Sequence, residues 1–279
     1  MWFLFASLAS ILFATNSLLG RVLAVGSSNP RAFAFVYNTY GAIFVLGYFI
    51  FDHTPFSDVP LPILLLTLLA IVLYGIFNRY EYYARKYVEA STLSILFRVT
   101  PIIAIIGAVT ILGEPLTVPK SIAGILIIGG SMLAVLSKKG IVLGRGGWYA
   151  CIIIVSLGLA WLVDKKASVY WPLPFYAMLS YLPANVFLYF FPRLSTAELM
   201  KEVRTGSWKI ALLAFINVAA YYFHLKAFSV GDVSNVVLIT STSTIITVMV
   251  GIVLLGERKN IGRKLLATAI VMTGVFLLR

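Results

Sequence analysis

The chain of 279 residues is 61% hydrophobic and only 11% charged, and its 22 Lys and Arg outnumber ten Asp and Glu to give a formal charge of +12. Water-soluble domains carry about one quarter charged residues, so this composition excludes that class, and ten spans of about 20 residues would leave only short loops and no separate soluble domain. One cysteine rules out an intramolecular disulfide and a multi-cysteine metal site, and basic residues scattered between apolar runs argue against a nucleic-acid partner.

In chain order, apolar stretches fall at 2–24, 32–51, 61–83, 90–112, 118–136, 147–166, 172–191, 208–228, 233–255 and 261–278. They predict an all-α polytopic membrane protein with ten transmembrane helices. Continuous runs such as Ile63-Leu64-Leu65-Leu66 exclude a barrel, whose strands alternate polar and apolar residues. The first stretch has no basic lead and exceeds a signal-peptide core, so it reads as helix 1. Turn signals such as Ser28-Asn29-Pro30, Gly144-Arg145-Gly146-Gly147 and Pro192 separate the spans, and the mixed-charge segment 193–207 reads as a loop holding a short surface helix. Trp2, Trp148, Trp171 and Trp208 stand at span starts, where indoles favour the headgroup region, whereas Trp161 stands well inside a span.

A shift of 143 positions aligns Leu112-Gly113-Glu114 with Leu255-Gly256-Glu257, Ala84 with Ala227, Ser91 with Ser234, Ile102-Ile103 with Ile245-Ile246 and Lys120 with Arg263. The match makes helices 1–5 and 6–10 equivalent, so residues 1–140 and 141–279 are expected to form two five-helix repeats. An odd number of helices per repeat forces opposite orientation, the inverted-repeat plan of many transporters, with a central cavity between the halves. Sixteen of the 22 basic residues fall at loops 1–2, 3–4, 5–6, 7–8 and 9–10. The excess of positive charge on that side predicts that it is cytoplasmic and that both termini lie outside.

Polar residues inside spans mark the candidate site. Arg98 of helix 4 lies about 12 Å into the bilayer at ~1.5 Å per residue, and burying such a charge costs about 2.5–3.5 kcal/mol or more, so it should face protein or water. Ser91, Ser94, Arg98 and Pro101 share one helix face, and Ser241 and Thr244 occupy the repeat positions of Arg98 and Pro101 in helix 9. Tyr74, Asn78 and Glu81 of helix 3 form a second stripe, whose repeat partners in helix 8 are Asn217, Tyr221 and His224. Asn16, Tyr37, Asn38, Trp161 and Asn185 would complete the wall. Glu81 and Arg85 also suit a helix ion pair at i, i+4, and Glu81 and His224 are the candidates for proton coupling. Glu114 and Glu257 follow helix ends and are expected to cap the helix that comes next. Small residues in helix 5 (Ala123, Gly124, Gly129, Gly130) and helix 10 (Ala267, Ala269, Gly274) predict close packing at the periphery or in a homodimer contact.

No zinc, nucleophile-elbow or phosphate-loop pattern occurs, so no catalytic residue, metal or cofactor is expected. The ten spans, the repeat, the paired Gly113-Glu114 and Gly256-Glu257, and Ala84-Arg85-Lys86-Tyr87-Val88-Glu89-Ala90-Ser91 followed by Pro101 resemble the EamA-type branch of the drug/metabolite transporter superfamily. That resemblance implies alternating-access export or exchange of small metabolites, with helices 5 and 10 outside the cavity. It also implies cytoplasmic termini, the reverse of the charge count.

The expected function is a secondary transporter of small polar metabolites, such as amino acids or organic anions, in a prokaryotic inner membrane, with substrate and bilayer as partners. Two alternatives stand beside it. One is a sugar-phosphate or nucleotide-sugar exchanger, which a single mid-span arginine serves poorly. The other is an intramembrane enzyme acting on lipid-linked substrates, which would have to rely on Glu81, His224 and Asp232.

Overall fold

A computed structural model describes residues 2–51, 55–56, 58–100, 102–103, 106–107, 110, 117–137, 140–141, 144–167, 170–190, 193–230, 236, 239–240, 242–257 and 260–277. Among them the helices are α1 (Trp2–Gly26), α2 (Pro30–Phe51), α3 (Leu61–Tyr87), α4 (Ala90–Leu96), α5 (Val118–Val135), α6 (Arg145–Ala167), α7 (Leu173–Phe190), α8 (Thr196–Val230), α9 (Ser243–Val253) and α10 (Ile261–Leu277). A two-residue antiparallel ladder, β1 (Leu136–Ser137) with β2 (Gly140–Ile141), joins the two halves. Helices are what an apolar chain needs in lipid, because each satisfies its own backbone. The outward faces accordingly carry exposed apolar side chains, Leu65, Ile125 and Leu266 among them.

The helix pairing obeys the repeat. α3 packs on α6, and its counterpart is α8 on α1; α2 packs on α8, and its counterpart is α7 on α3. The pairs α2–α7, α4–α9 and α5–α10 map onto themselves when each helix is exchanged for the one five places away. The halves therefore form an inverted repeat. The symmetry breaks around α3. α1 packs on α3, whereas α6 and α8 share no comparable packing among the described residues. The α2–α3 packing also has no comparable α7–α8 counterpart among them.

Two of the small residues of α5 and α10, Gly130 and Gly274, are used in packing within the chain. A methyl group on Gly130 would lie 2.7 Å from Val271 Cγ2, and one on Gly274 would lie 2.9 Å from the Ala123 carbonyl oxygen. Backbones approach this closely only where side chains are absent.

Segment 196–206 is the expected surface helix. It meets the α8 span at Ser207, whose φ of 48° and ψ of −145° break the helix. Such a conformation in a non-glycine residue costs about 1–3 kcal/mol and persists only where its surroundings fix it. Here the surface helix is anchored by Glu202, which is 1% exposed. Its Oε1 accepts hydrogen bonds from the Ser28 N–H (2.9 Å), the Ser28 hydroxyl (2.7 Å) and the Asn29 N–H (2.9 Å) at the start of α2.

A second carboxylate does the same for α4. Glu257 Oε1 accepts from the Ala90 N–H at 2.8 Å, and Oε2 accepts from the Ser91 N–H at 3.1 Å and from the Ser91 hydroxyl. The expectation that Glu257 caps the following helix is corrected. Its partner is α4 of the other repeat, because the inverted fold places the free N–H groups of α4 beside the 9–10 loop. Lys264 of α10 completes the cluster, 2.7 Å from Glu89 Oε2 and 3.5 Å from Glu257 Oε2. Glu114 lies outside the described residues. On the same face, Arg21 donates to the carbonyls of Arg85 (2.5 Å) and Lys86, and Lys86 Nζ donates to the Ser27 carbonyl at 2.6 Å. This face, which carries residues 27–29, 88–89 and 254–257, is called the basic face below.

Candidate functional site

A cavity of about 190 Å³ lies between the repeats, walled among the described residues by α1–α4 and α6–α9 and by none from α5 or α10. Both polar stripes reach it. Tyr74, Asn78 and Glu81 line one side, and their repeat partners Asn217, Tyr221 and His224 also line it. Asn16, Ser94, Arg98 and Trp161 complete the set of expected residues that face the cavity.

Three expected residues do not join them. Asn38 is fully buried and lies outside the lining, with neither side-chain polar atom hydrogen-bonded; its neighbour Tyr37, about 100° round the helix, is the one that lines the cavity. Thr244 is also fully buried, and its hydroxyl donates to the Ser94 carbonyl at 3.4 Å, tying α9 to α4 behind the wall. Asn185 is turned to Thr39, donating to its hydroxyl at 3.0 Å. Ser241 and Asp232 lie outside the described residues.

The backbone around Arg98 follows from the sequence. A proline at 101 has no N–H with which to bond the carbonyl four residues earlier. The Thr100 N–H bonds the Phe97 carbonyl instead, and Phe97–Val99 tighten into a 3₁₀ turn. Arg98 sits in that turn and lines the cavity. Its Nε is buried without a hydrogen-bond partner, and no carboxylate among the described residues lies within ion-pair distance. A guanidinium in this setting has the chemistry to pair with an anion.

Toward the basic face the cavity ends in a paired charge. Arg85 donates through Nε (2.9 Å) and Nη2 (2.7 Å) to Glu81 Oε1, as the i, i+4 spacing suggests. Arg85 also donates to Asn16 Oδ1 at 3.2 Å and to the Ser17 carbonyl at 3.2 Å. Gly20 makes room for it, since a methyl group there would lie 2.9 Å from Arg85 Nη1. Glu81 is therefore neutralised in place.

Sequence reasoning missed Asp164. Its carboxylate accepts hydrogen bonds from the hydroxyls of Tyr74 and Tyr176, each at 2.5 Å, joining α3, α6 and α7 directly behind the cavity wall. The residue precedes Lys165-Lys166 and reads as the end of a span, so composition carried no signal. The ring residues Phe13, Phe77 and Phe97 also line the cavity and were masked by the apolar background of their spans. The His224 ring lies between Phe13 (5.6 Å) and Trp161 (6.2 Å).

Comparison with known proteins agrees with this architecture. A family model described as the EamA-like transporter family matches residues 1–136 and again residues 144–279. A solved structure, titled only as the crystal structure of a protein, matches with a TM-score of 0.64 at 16% identity, covering 99% of this chain and 95% of that one. At that identity it shows the fold alone. No curated protein matches the chain.

Proposed function

The chain belongs to the EamA-like transporter family and is an integral membrane protein of the drug/metabolite transporter type, and from that premise we propose that it is a secondary transporter of small organic anions or amino acids in a prokaryotic inner membrane. The observation that carries the reading is Arg98, a half-buried arginine with its Nε buried and no ion-pair partner among the described residues, on the wall of a cavity between two inverted repeats. Substrate enters, pairs with the guanidinium, and is released when one repeat rocks against the other. The residues assigned to binding are Arg98, Ser94, Tyr74, Asn78, Asn16, Trp161, Asn217 and Tyr221. Glu81 and His224 are the titratable groups of the wall through which proton coupling would run, and His224 is the better placed because Glu81 is held by Arg85.

The test is counterflow in proteoliposomes loaded with a panel of carboxylates, amino acids and phosphate esters. At least one class should exchange, and Arg98→Gln should lower that exchange about 100-fold, the loss expected when one charge-assisted contact disappears from a desolvated site. If no member of the panel exchanges, the transporter reading fails.

A further inference from the structure

We infer that the cavity takes a monocarboxylate whose body is a planar ring, and that it discriminates against the corresponding amino acid. The inference rests on the cavity being the substrate site, and three features of the wall carry it.

The first is charge. Among the described residues, Arg98 is the cavity-lining fixed charge without an ion-pair partner, since Arg85 is matched by Glu81. One guanidinium accepts one carboxylate through two parallel hydrogen bonds. A phosphate dianion would leave excess negative charge in a desolvated space, where it is costly. A zwitterion would bring an ammonium group, whereas the charge of Glu81 is already matched by Arg85 and Asp164 lies outside the lining. Glu81 Oε1 takes two bonds from Arg85, and both oxygens of Asp164 take tyrosine hydroxyls.

The second feature is that most of the wall's amide donors are engaged with protein, both N–H groups of Asn78 and one each of Asn16 and Asn217. Asn16 Nδ2 donates to the Leu213 carbonyl (3.3 Å), Asn78 Nδ2 to the carbonyls of Tyr74 (2.8 Å) and Ser180 (3.2 Å), and Asn217 Nδ2 to the Tyr181 hydroxyl (2.7 Å). A polyhydroxylated body such as a sugar would find the Tyr221 hydroxyl and one N–H each of Asn16 and Asn217, fewer partners than its hydration supplies.

The third is shape. Rings from α1, α3, the 3₁₀ turn after α4, α6 and α8 (Phe13, Phe77, Phe97, Trp161 and Tyr221) line the same space as Arg98. Aromatic faces and edges reward a planar ring by offset or edge-on contact. At about 190 Å³ the cavity also falls below the ~300–1,000 Å³ of drug-sized sites, which suits a single-ring acid.

The experiment is isothermal titration of the purified protein with a matched set: 3-phenylpropionate, propionate, 3-phenylpropanamide, phenylalanine and phenyl phosphate. The phenyl acid should bind about 100-fold more tightly than propionate, which lacks the ring. It should bind about tenfold or more tightly than the amide and than phenylalanine, which respectively lack the charge and add an unpaired ammonium. Arg98→Gln should erase the preference for acid over amide, and Arg98→Lys should keep part of it, which separates loss of charge from loss of fold. Equal or tighter binding of phenylalanine, propionate or phenyl phosphate overturns the inference, as does binding of none of the set. If phenylalanine or a phosphate ester exchanges in proteoliposomes, transport stands and this substrate class falls. If the phenyl acid binds in an Arg98-dependent way but nothing exchanges, the ligand class stands and transport falls.

Discussion

The two ends of the α3 polar stripe are built from different chemistry. Toward the basic face, the repeats are joined by charges. Glu202 and Glu257 of the second repeat cap α2 and α4 of the first, and Arg85 with Glu81 closes the cavity beneath Arg21 and Lys86. Toward the opposite face, the joints are hydroxyls and rings. Asp164 receives two tyrosines, Trp171 donates to the Thr67 hydroxyl at 3.1 Å, and Phe56 meets Trp171 and Phe175 edge-on nearby. The repeat register makes the contrast sharper, because Phe228 stands in the sequence where Arg85 has its counterpart. The packing agrees, since α1 meets α3 near the charged end while α6 and α8 stay apart. Charge-assisted bonds are few, strong and all-or-none, so the charged end is expected to behave as a latch. Ring contacts slide at small cost, which suits the opposite end to gradual opening.

The largest expected effect comes from Arg85→Ala. It strands Glu81 without its cation, and breaking one partner of a buried pair costs about 3–5 kcal/mol. Thermal unfolding in detergent should show a large drop in Tm, and a Tm within error of the parent would remove the ion pair from its structural role. Glu257→Gln ranks next, at about 1–3 kcal/mol, because an amide keeps only part of the capping geometry at α4. It should also raise labelling of a cysteine placed at Ser94, in a Cys151→Ser background, by an impermeant reagent added from the basic face. Unchanged labelling would mean that the carboxylate is not a latch.

Asp164→Asn tests the other end and should be milder, about 1–2 kcal/mol, since one tyrosine retains an acceptor. A loss equal to that of Arg85→Ala would break the contrast between the ends. The smallest effect is expected at Glu198, on the exposed surface helix. Its carboxyl is held below the ordinary value of 4.5 by the Ser195 N–H, the Ser195 hydroxyl and Asn29. The depressed value means that its contribution is present at neutral pH and is lost as pH falls through the carboxylate range. Glu198→Gln should therefore melt slightly below the parent at pH 7 and coincide with it in acid, read from paired melting curves across pH.

Much of the fold was legible in the sequence, since span length, continuous apolar runs and a shift of 143 residues are local or self-referential signals. The same register brought Asn217, Tyr221 and His224 into view as partners of Tyr74, Asn78 and Glu81, and all six line one cavity. What stayed hidden was non-local or angular. Glu257 meets Ala90 across 167 positions of sequence, a contact that only the inverted packing creates. Asn38 and Tyr37 are adjacent in sequence, and the choice between them depends on which side of α2 turns inward. Asp164 stands at a span end beside Lys165-Lys166, and only the packing of α3 and α7 delivers hydroxyls to it.

The solitary arginine bears on the history of the molecule. Two identical copies of the first half, packed head to tail, would bring a pair of guanidiniums into a single chamber and suit it to doubly charged cargo. In this chain the second half carries Ser241 at the matching register position. A chamber with one guanidinium suits singly charged cargo instead, so the serine of the second half bears on the proposed specificity as much as the arginine of the first.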